Sequence, residues 1–285
     1  MFRIISYFCV LLATSSCFQK KSPDHKPMLL VSIAPYQYLT EQIAGDDFTV
    51  YVVVPPNANP HSFEPTSSQT LKIGQALIWF QMGEPFEKKI LPVLQSKNPS
   101  LVTKDLRDGI PMIGEGCCSV DQMDRHIWLS PRLAAVQAVM IEEVLSQAFP
   151  EYASFFKENL AKLTASLAAL DSEIHEELKK VENRSLLVSH PAFGYFCKEY
   201  GFTQLSVEYE GKDPKPQDLA RIRKQAERDP MELALALPQY NNKGVQLIAK
   251  EVEAAVHFID PYSPDYFKTM RTLSTLIQHP HDNCH

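Results

Sequence analysis

No stretch of this 285-residue chain stays apolar for the roughly 20 residues a helix needs to cross a bilayer, so transport would require a membrane partner. Basic residues are not in excess: 28 Lys and Arg stand against 34 Asp and Glu, for a formal net charge of −6. With its cations also scattered, the chain does not read as a nucleic-acid binder, because phosphate contacts require a basic patch. HExxH, GxSxG and P-loop patterns are missing, which removes the usual sequence marks of zinc peptidases, serine hydrolases and nucleotide hydrolases. Internal repeats and low-complexity tracts are absent, apart from a His-rich end. What is present is a globular composition, 45% hydrophobic and 22% charged, on a chain long enough for two ordinary domains.

Arg3 precedes the apolar run from Ile4 to Leu12, and the small residues 13–16 lead into Cys17. A run this short, behind a cation and ahead of small residues, predicts a secretory signal over 1–16. Cleavage before Cys17 resembles that of a bacterial lipoprotein, whose new N-terminal cysteine carries lipid, although Thr14 stands where Leu is usual. Release of an unanchored exported protein is the alternative. Residues 17–27, with Lys20, Lys21, Pro23 and Pro27, read as a tether.

Short apolar runs recur at 28–34, 50–54 and 76–80, separated by helical patterns at 35–45 and 66–75. They resume at 185–189, 205–209, 232–237 and 255–259. Strands alternating with helices predict α/β units on parallel sheets, here two sheets. From Tyr152 to Val181 the apolar residues Phe156, Leu160, Leu163, Leu167, Leu170, Ile174 and Leu178 fall three or four apart with no Pro or Gly between. That is the stripe of one helix of roughly 45 Å, long enough to be shared by two lobes. The predicted division is an N-terminal α/β lobe at 28–149, a linking helix at 150–182 and a C-terminal α/β lobe at 183–285.

Three histidines lie beside strand ends or turns: His61 in NPHSFEP, His126 in DRHIWLSP and His190 in VSHPAFGYF. Asp260 closes AVHFID ahead of Pro261. Ligands of α/β sheets bind outside the carboxyl ends of strands, and three imidazoles with one carboxylate suit tetrahedral zinc. Taken singly, each is an ordinary polar loop residue. Their joint placement predicts a metal site.

These segments, with GEPFE at 83–87, EYEGKDPKPQDLARI and IDPYSPDYFKTM, resemble in order and context the cluster A-I substrate-binding proteins of bacterial ABC importers for zinc and manganese. The resemblance covers nearly the whole mature chain. It implies two α/β lobes joined by one long rigid helix, with the metal in the cleft between them. Carried across by motif, His61 and His126 of the first lobe and His190 and Asp260 of the second become the metal ligands. It also implies an exported monomer, in the bacterial periplasm or at the cell surface, that hands its ion to a membrane permease driven by a cytoplasmic ATPase. Manganese members tend to have a carboxylate where this chain has His190, so the extra imidazole favours zinc, with manganese the alternative. No enzymatic activity is expected, since a zinc hydrolase keeps a water in the fourth position and a base beside it, and Asp260 would fill that position. A surface adhesin on the same fold is the remaining alternative.

The chain departs from the family pattern in places. Zinc members often carry a His- and Asp-rich loop ahead of the second histidine, whereas residues 112–125 hold no histidine, and Arg125 stands where Pro is common. Cys117, Cys118, Cys197 and Cys284 allow three complete disulfide pairings among which the sequence does not choose; metal gathering by Cys117 and Cys118 is the lesser expectation. The HPHDNCH end is read as a polar terminus ahead of a metal-recruiting tail. Glu64 is equally a turn residue and an acceptor for His61, while Glu208 and Glu210 are expected at the surface, with a place lining the cleft as the alternative. His175 should be solvated and His257 packed in a strand.

Overall fold

The structure, a computed structural model, describes residues 26–114, 123–208, 216–226 and 228–282. The predicted signal, Cys17 and most of the tether lie outside the described residues, as do Cys117, Cys118, Glu210, Cys284 and His285. Among the described residues, no helix is long and apolar enough to cross a membrane.

The apolar runs become strands, and the two central strands of each sheet are the ones buried on both faces. In the first lobe β1 (Met28–Val31), β2 (Thr49–Val52), β3 (Ile78–Gln81) and β4 (Val102–Asp105) pair in parallel in the order β2-β1-β3-β4. In the second, β5 (Ser185–Val188), β6 (Thr203–Ser206), β7 (Leu233–Ala236) and β8 (Ala255–Phe258) repeat that arrangement as β6-β5-β7-β8. Parallel neighbours require a crossover, supplied by α1 (Ala34–Ala44), α2 (Ser67–Ile73) and α3 (Pro85–Lys97), then by α6 (Gly194–Tyr200), α7 (Pro216–Ala226) and α8 (Lys243–Glu251). Every crossover of this kind leaves the loops that follow the strands on one rim of the sheet.

Between the sheets run α4 (Pro131–Ala148) and α5 (Ala153–Leu178), with a 3-10 turn over Pro150–Tyr152 at their junction. The 26 residues of α5 make a rod of roughly 39 Å, shorter at both ends than the 150–182 span expected. Its stripe is buried as the periodicity requires: Phe156, Leu163, Leu167, Leu170, Ile174 and Leu178 all face inward. It packs against α1 of the first lobe, α4, and α9 (Tyr266–Gln278), which follows the second lobe. The Arg271 guanidinium on α9 pairs with Glu173 of α5, and Ser274 donates to Glu177. A single apolar cluster runs from Leu29 in β1 through α5 to Ile277 in α9, so both lobes are anchored on one helix.

Candidate metal centre

Each predicted histidine is set by its own local structure. Beyond β2 the chain stays paired to β1 through Val53 and Val54, then turns at Asn57, a left-handed position at φ 65° that asparagine tolerates. The His61 N–H donates to Asn59 Oδ1 at 2.9 Å, and a capping box between Thr66 and Gln69 starts α2, which closes the loop. His126 opens a 3-10 turn over Ile127–Leu129 that runs into the Ser130 cap of α4. His190 follows β5, where Ser189 donates its N–H to Leu235 and its Oγ accepts from Leu237 N.

These three side chains meet. One ligand atom from each of His61, His126 and His190 lies within 4.8 Å of the other two. His61 Nε2 and His190 Nε2, from opposite lobes, are 3.2 Å apart, and the three ring centroids are separated by 5.4, 5.1 and 5.2 Å. Nitrogens about 2.0–2.1 Å from one tetrahedral zinc would lie roughly 3.3 Å from each other, so this spacing suits a single shared ion.

Behind every ring stands a carboxylate. His61 Nδ1 contacts Glu84 Oε2 at 2.9 Å, His126 Nδ1 contacts Asp124 Oδ1 at 2.8 Å, and His190 Nδ1 contacts Glu208 Oε2 at 3.2 Å. A ring that donates Nδ1–H to a carboxylate keeps its Nε2 lone pair for a metal and is locked in orientation. Glu84 follows β3 and Glu208 follows β6, so the rim that carries the ligands carries their supports. Burial holds the His126 imidazole well below its usual pKa and takes His190 down to about 3 despite Glu208, so both rings are neutral. Burial pushes Asp124 up to about 7, against the His126 N–H that bonds it. On Glu84 burial acts upward too, but His61, with Arg125 and His126 behind it, holds the carboxyl below its ordinary value. His61 is the most exposed of the three, at 24% of its side chain.

The supports are braced in turn. Glu87 accepts the Met82 and Gly83 N–H groups, and Arg125 Nε donates to Gly83 O at 3.0 Å, so the turn that aims Glu84 is tied to the segment that carries His126. Gly83 sits at φ 84°, and a Cβ there would meet the Arg107 guanidinium at 1.9 Å. Across the lobes, Trp128 Nε1 donates to Pro261 O at 2.9 Å and Tyr195 Oη to Asp124 O at 3.1 Å.

Asp260 does not join the three imidazoles. Its Oδ1 accepts from Gln239 Nε2 at 2.7 Å and from the Tyr262 N–H at 2.9 Å, which turns the carboxylate into a brace for its own loop. Glu64 pairs with Lys89 while Glu84 serves His61, and Glu208, expected at the surface, is only 14% exposed behind His190. The mark that Asp124 leaves in the sequence is the D-x-H spacing, which lets one carboxylate oxygen take both the backbone and ring N–H of His126. Cys197 carries a free, buried thiol. His175 is exposed on α5, and His257 in β8 bonds Pro280 O.

Residues 29–279 match the family described as zinc-uptake complex component A, periplasmic, or ZnuA. A Chlamydia trachomatis protein that carries a provisional description as metal-binding is 31% identical over 263 residues, spanning 91% of this chain and 94% of that one. A crystal structure of ZnuA superposes with a TM-score of 0.84 at 30% identity, over 90% of this chain and 99% of the other. The zinc-binding lipoprotein AdcA of Streptococcus pneumoniae is 27% identical over 225 residues, which is 75% of this chain and 45% of AdcA.

Proposed function

The chain belongs to the family of periplasmic components of zinc-uptake complexes, and we propose that it captures one zinc ion between its lobes, outside the cytoplasm, and delivers it to an ABC permease. The observation that carries this reading is the convergence of His61, His126 and His190, each backed by a carboxylate. Three nitrogen donors favour zinc over manganese, whose preferred ligands are oxygens. Binding is favoured over hydrolysis because Glu84, Asp124 and Glu208 stand behind the rings on Nδ1, engaged in orienting them. The proposed ligands are the three histidines, with Asp260 assigned to shaping the Tyr262 loop.

Equilibration with zinc followed by desalting and metal analysis tests the reading. One zinc per chain is expected, with loss of tight binding in His61→Ala, His126→Ala and His190→Ala and with manganese failing to compete at equal concentration. A chain that emerges without zinc refutes it. The protein is further proposed to act as a monomer anchored by lipid on Cys17, and Cys17→Ser should then move it from the membrane fraction to the soluble one.

A further inference from the structure

With Asp260 turned to its own loop, another group faces the centre. Tyr262 Oη lies 2.9 Å from His126 Nε2 and 3.2 Å from Tyr240 Oη. Both phenols are fixed by segments that carry the site. The Tyr262 N–H is held by Asp260, the preceding Pro261 carbonyl by Trp128, and the Tyr262 ring packs 5.5 Å from the Trp128 ring. The Tyr240 ring stacks on His190 at 3.9 Å and 11°. Because His126 gives its Nδ1 proton to Asp124, its Nε2 offers a lone pair only, and the Tyr262 hydroxyl must be the donor in that contact. The same lone pair is the one a metal needs.

We propose that Tyr262 is a placeholder for the metal. In the metal-free protein its O–H satisfies a buried acceptor and keeps the His126 ring aimed at the centre; an arriving zinc must take the lone pair from it, leaving the hydroxyl to its remaining partner, Tyr240. Tyr262 is therefore a positioning residue that lowers affinity and assists release, as a carrier that must surrender its cargo requires. The competition amounts to one neutral hydrogen bond between buried groups, roughly a 2- to 10-fold effect on the dissociation constant. The inference rests on the zinc-binding reading above.

Tyr262→Phe retains the ring and removes the donor. Nitrogen-15 resonances of the histidine rings, recorded on the metal-free protein, should show the His126 Nε2 signal moving toward that of an unbonded acceptor, together with a lower melting temperature. Zinc should then bind roughly 2- to 10-fold more tightly and dissociate correspondingly more slowly. Were Tyr262 instead a ligand of the bound ion, the variant would bind zinc more weakly and the visible spectrum of the cobalt-loaded protein would change; either result overturns the placeholder. An unmoved His126 resonance overturns it as well, without reference to any metal. Failure of the unmodified chain to bind zinc would sink the functional reading, while the resonance would still decide the hydroxyl contact.

Discussion

Replacing Asp124 separates the need for an acceptor behind His126 from the need for a charge there. One oxygen, Asp124 Oδ1, takes the His126 backbone N–H and the ring Nδ1–H, both at 2.8 Å, in a position where both residues are buried. Alanine leaves two buried donors unpaired at about 1–3 kcal/mol each, so the metal-free protein should lose about 2–6 kcal/mol, a large share of the roughly 5–15 kcal/mol that holds an ordinary domain together. Asparagine can present an oxygen to the same two donors and should cost about 1 kcal/mol. What asparagine lacks is the carboxylate, which burial lifts to about 7 in the metal-free protein and which a zinc ion on the ring would draw into the charged form that makes the imidazole a better donor. Loss of such an outer partner typically weakens metal binding about 10- to 100-fold, or about 1.4–2.7 kcal/mol. Urea unfolding of the metal-free variants and competition titration against a chromophoric chelator read the two effects apart. The expected signature of Asp124→Asn is a near-native unfolding midpoint with a zinc dissociation constant raised at least about tenfold. Zinc affinity within about twofold of the unmodified protein, at unchanged stability, would refute the assignment of Asp124 as the group that tunes His126.

The same carboxylate can be displaced from the other side: a Cβ on Gly194 would fall 2.4 Å from Asp124 Oδ2, so Gly194→Ala should lower zinc affinity about tenfold while circular dichroism stays native. Leu167, fully buried at the middle of α5, should cost about 2–5 kcal/mol when cut to alanine, visible in urea unfolding, with zinc affinity of the folded protein unchanged. Because burial keeps His190 at about 3 and His126 well below 6.5, the native metal-free chain binds fewer protons than the unfolded chain in acid. Their contribution to stability is therefore complete above about pH 6.5 and declines as pH falls toward about 3; His190→Asn should flatten part of that slope in unfolding measured across the range. Zinc at about 100 times its dissociation constant should stabilise the fold by about 2.7 kcal/mol and raise the melting temperature, an effect that a chelator reverses. No zinc-dependent shift would mean that the native state does not bind the ion.

Apolar periodicity records, in one dimension, which side of an element is buried, and here it was enough for most of the architecture. The run at Leu29–Val31 and the three-and-four spacing from Phe156 to Leu178 admit few other readings, and the structure buries those positions, Leu160 in part. β4 leaves no such mark, for the converse reason: Val102, Thr103, Lys104 and Asp105 form an edge strand with Val102 44% exposed, so little apolar signal survives. β6 was expected at 205–209 and lies at Thr203–Ser206, since Val207 and Glu208 follow the strand apolar-then-polar and lengthen the apparent run.

Donor type and strand-end position marked His61, His126 and His190, because both are properties of the residue and its immediate neighbours. The carboxylates that orient them were a different matter. Glu84 reaches His61 across 23 positions and Glu208 reaches His190 across 18, separations closed by sheet order: β2 and β3, which precede the first pair, flank β1, and β5 and β6, which precede the second, are neighbours. At the end of β8 the decision is finer still. Asp260 and Tyr262 are two residues apart on one turn, and the carboxylate has the better donor chemistry for a metal, yet the loop turns it onto Gln239 and its own backbone while the phenol is delivered to His126. Burial pattern and donor chemistry write the two sheets, the helix between them and the three imidazoles into the chain itself. Which oxygens face those imidazoles and which turn away follows from folding, because hydrogen bonds act over about 3 Å and that distance is set by packing between segments far apart in the chain.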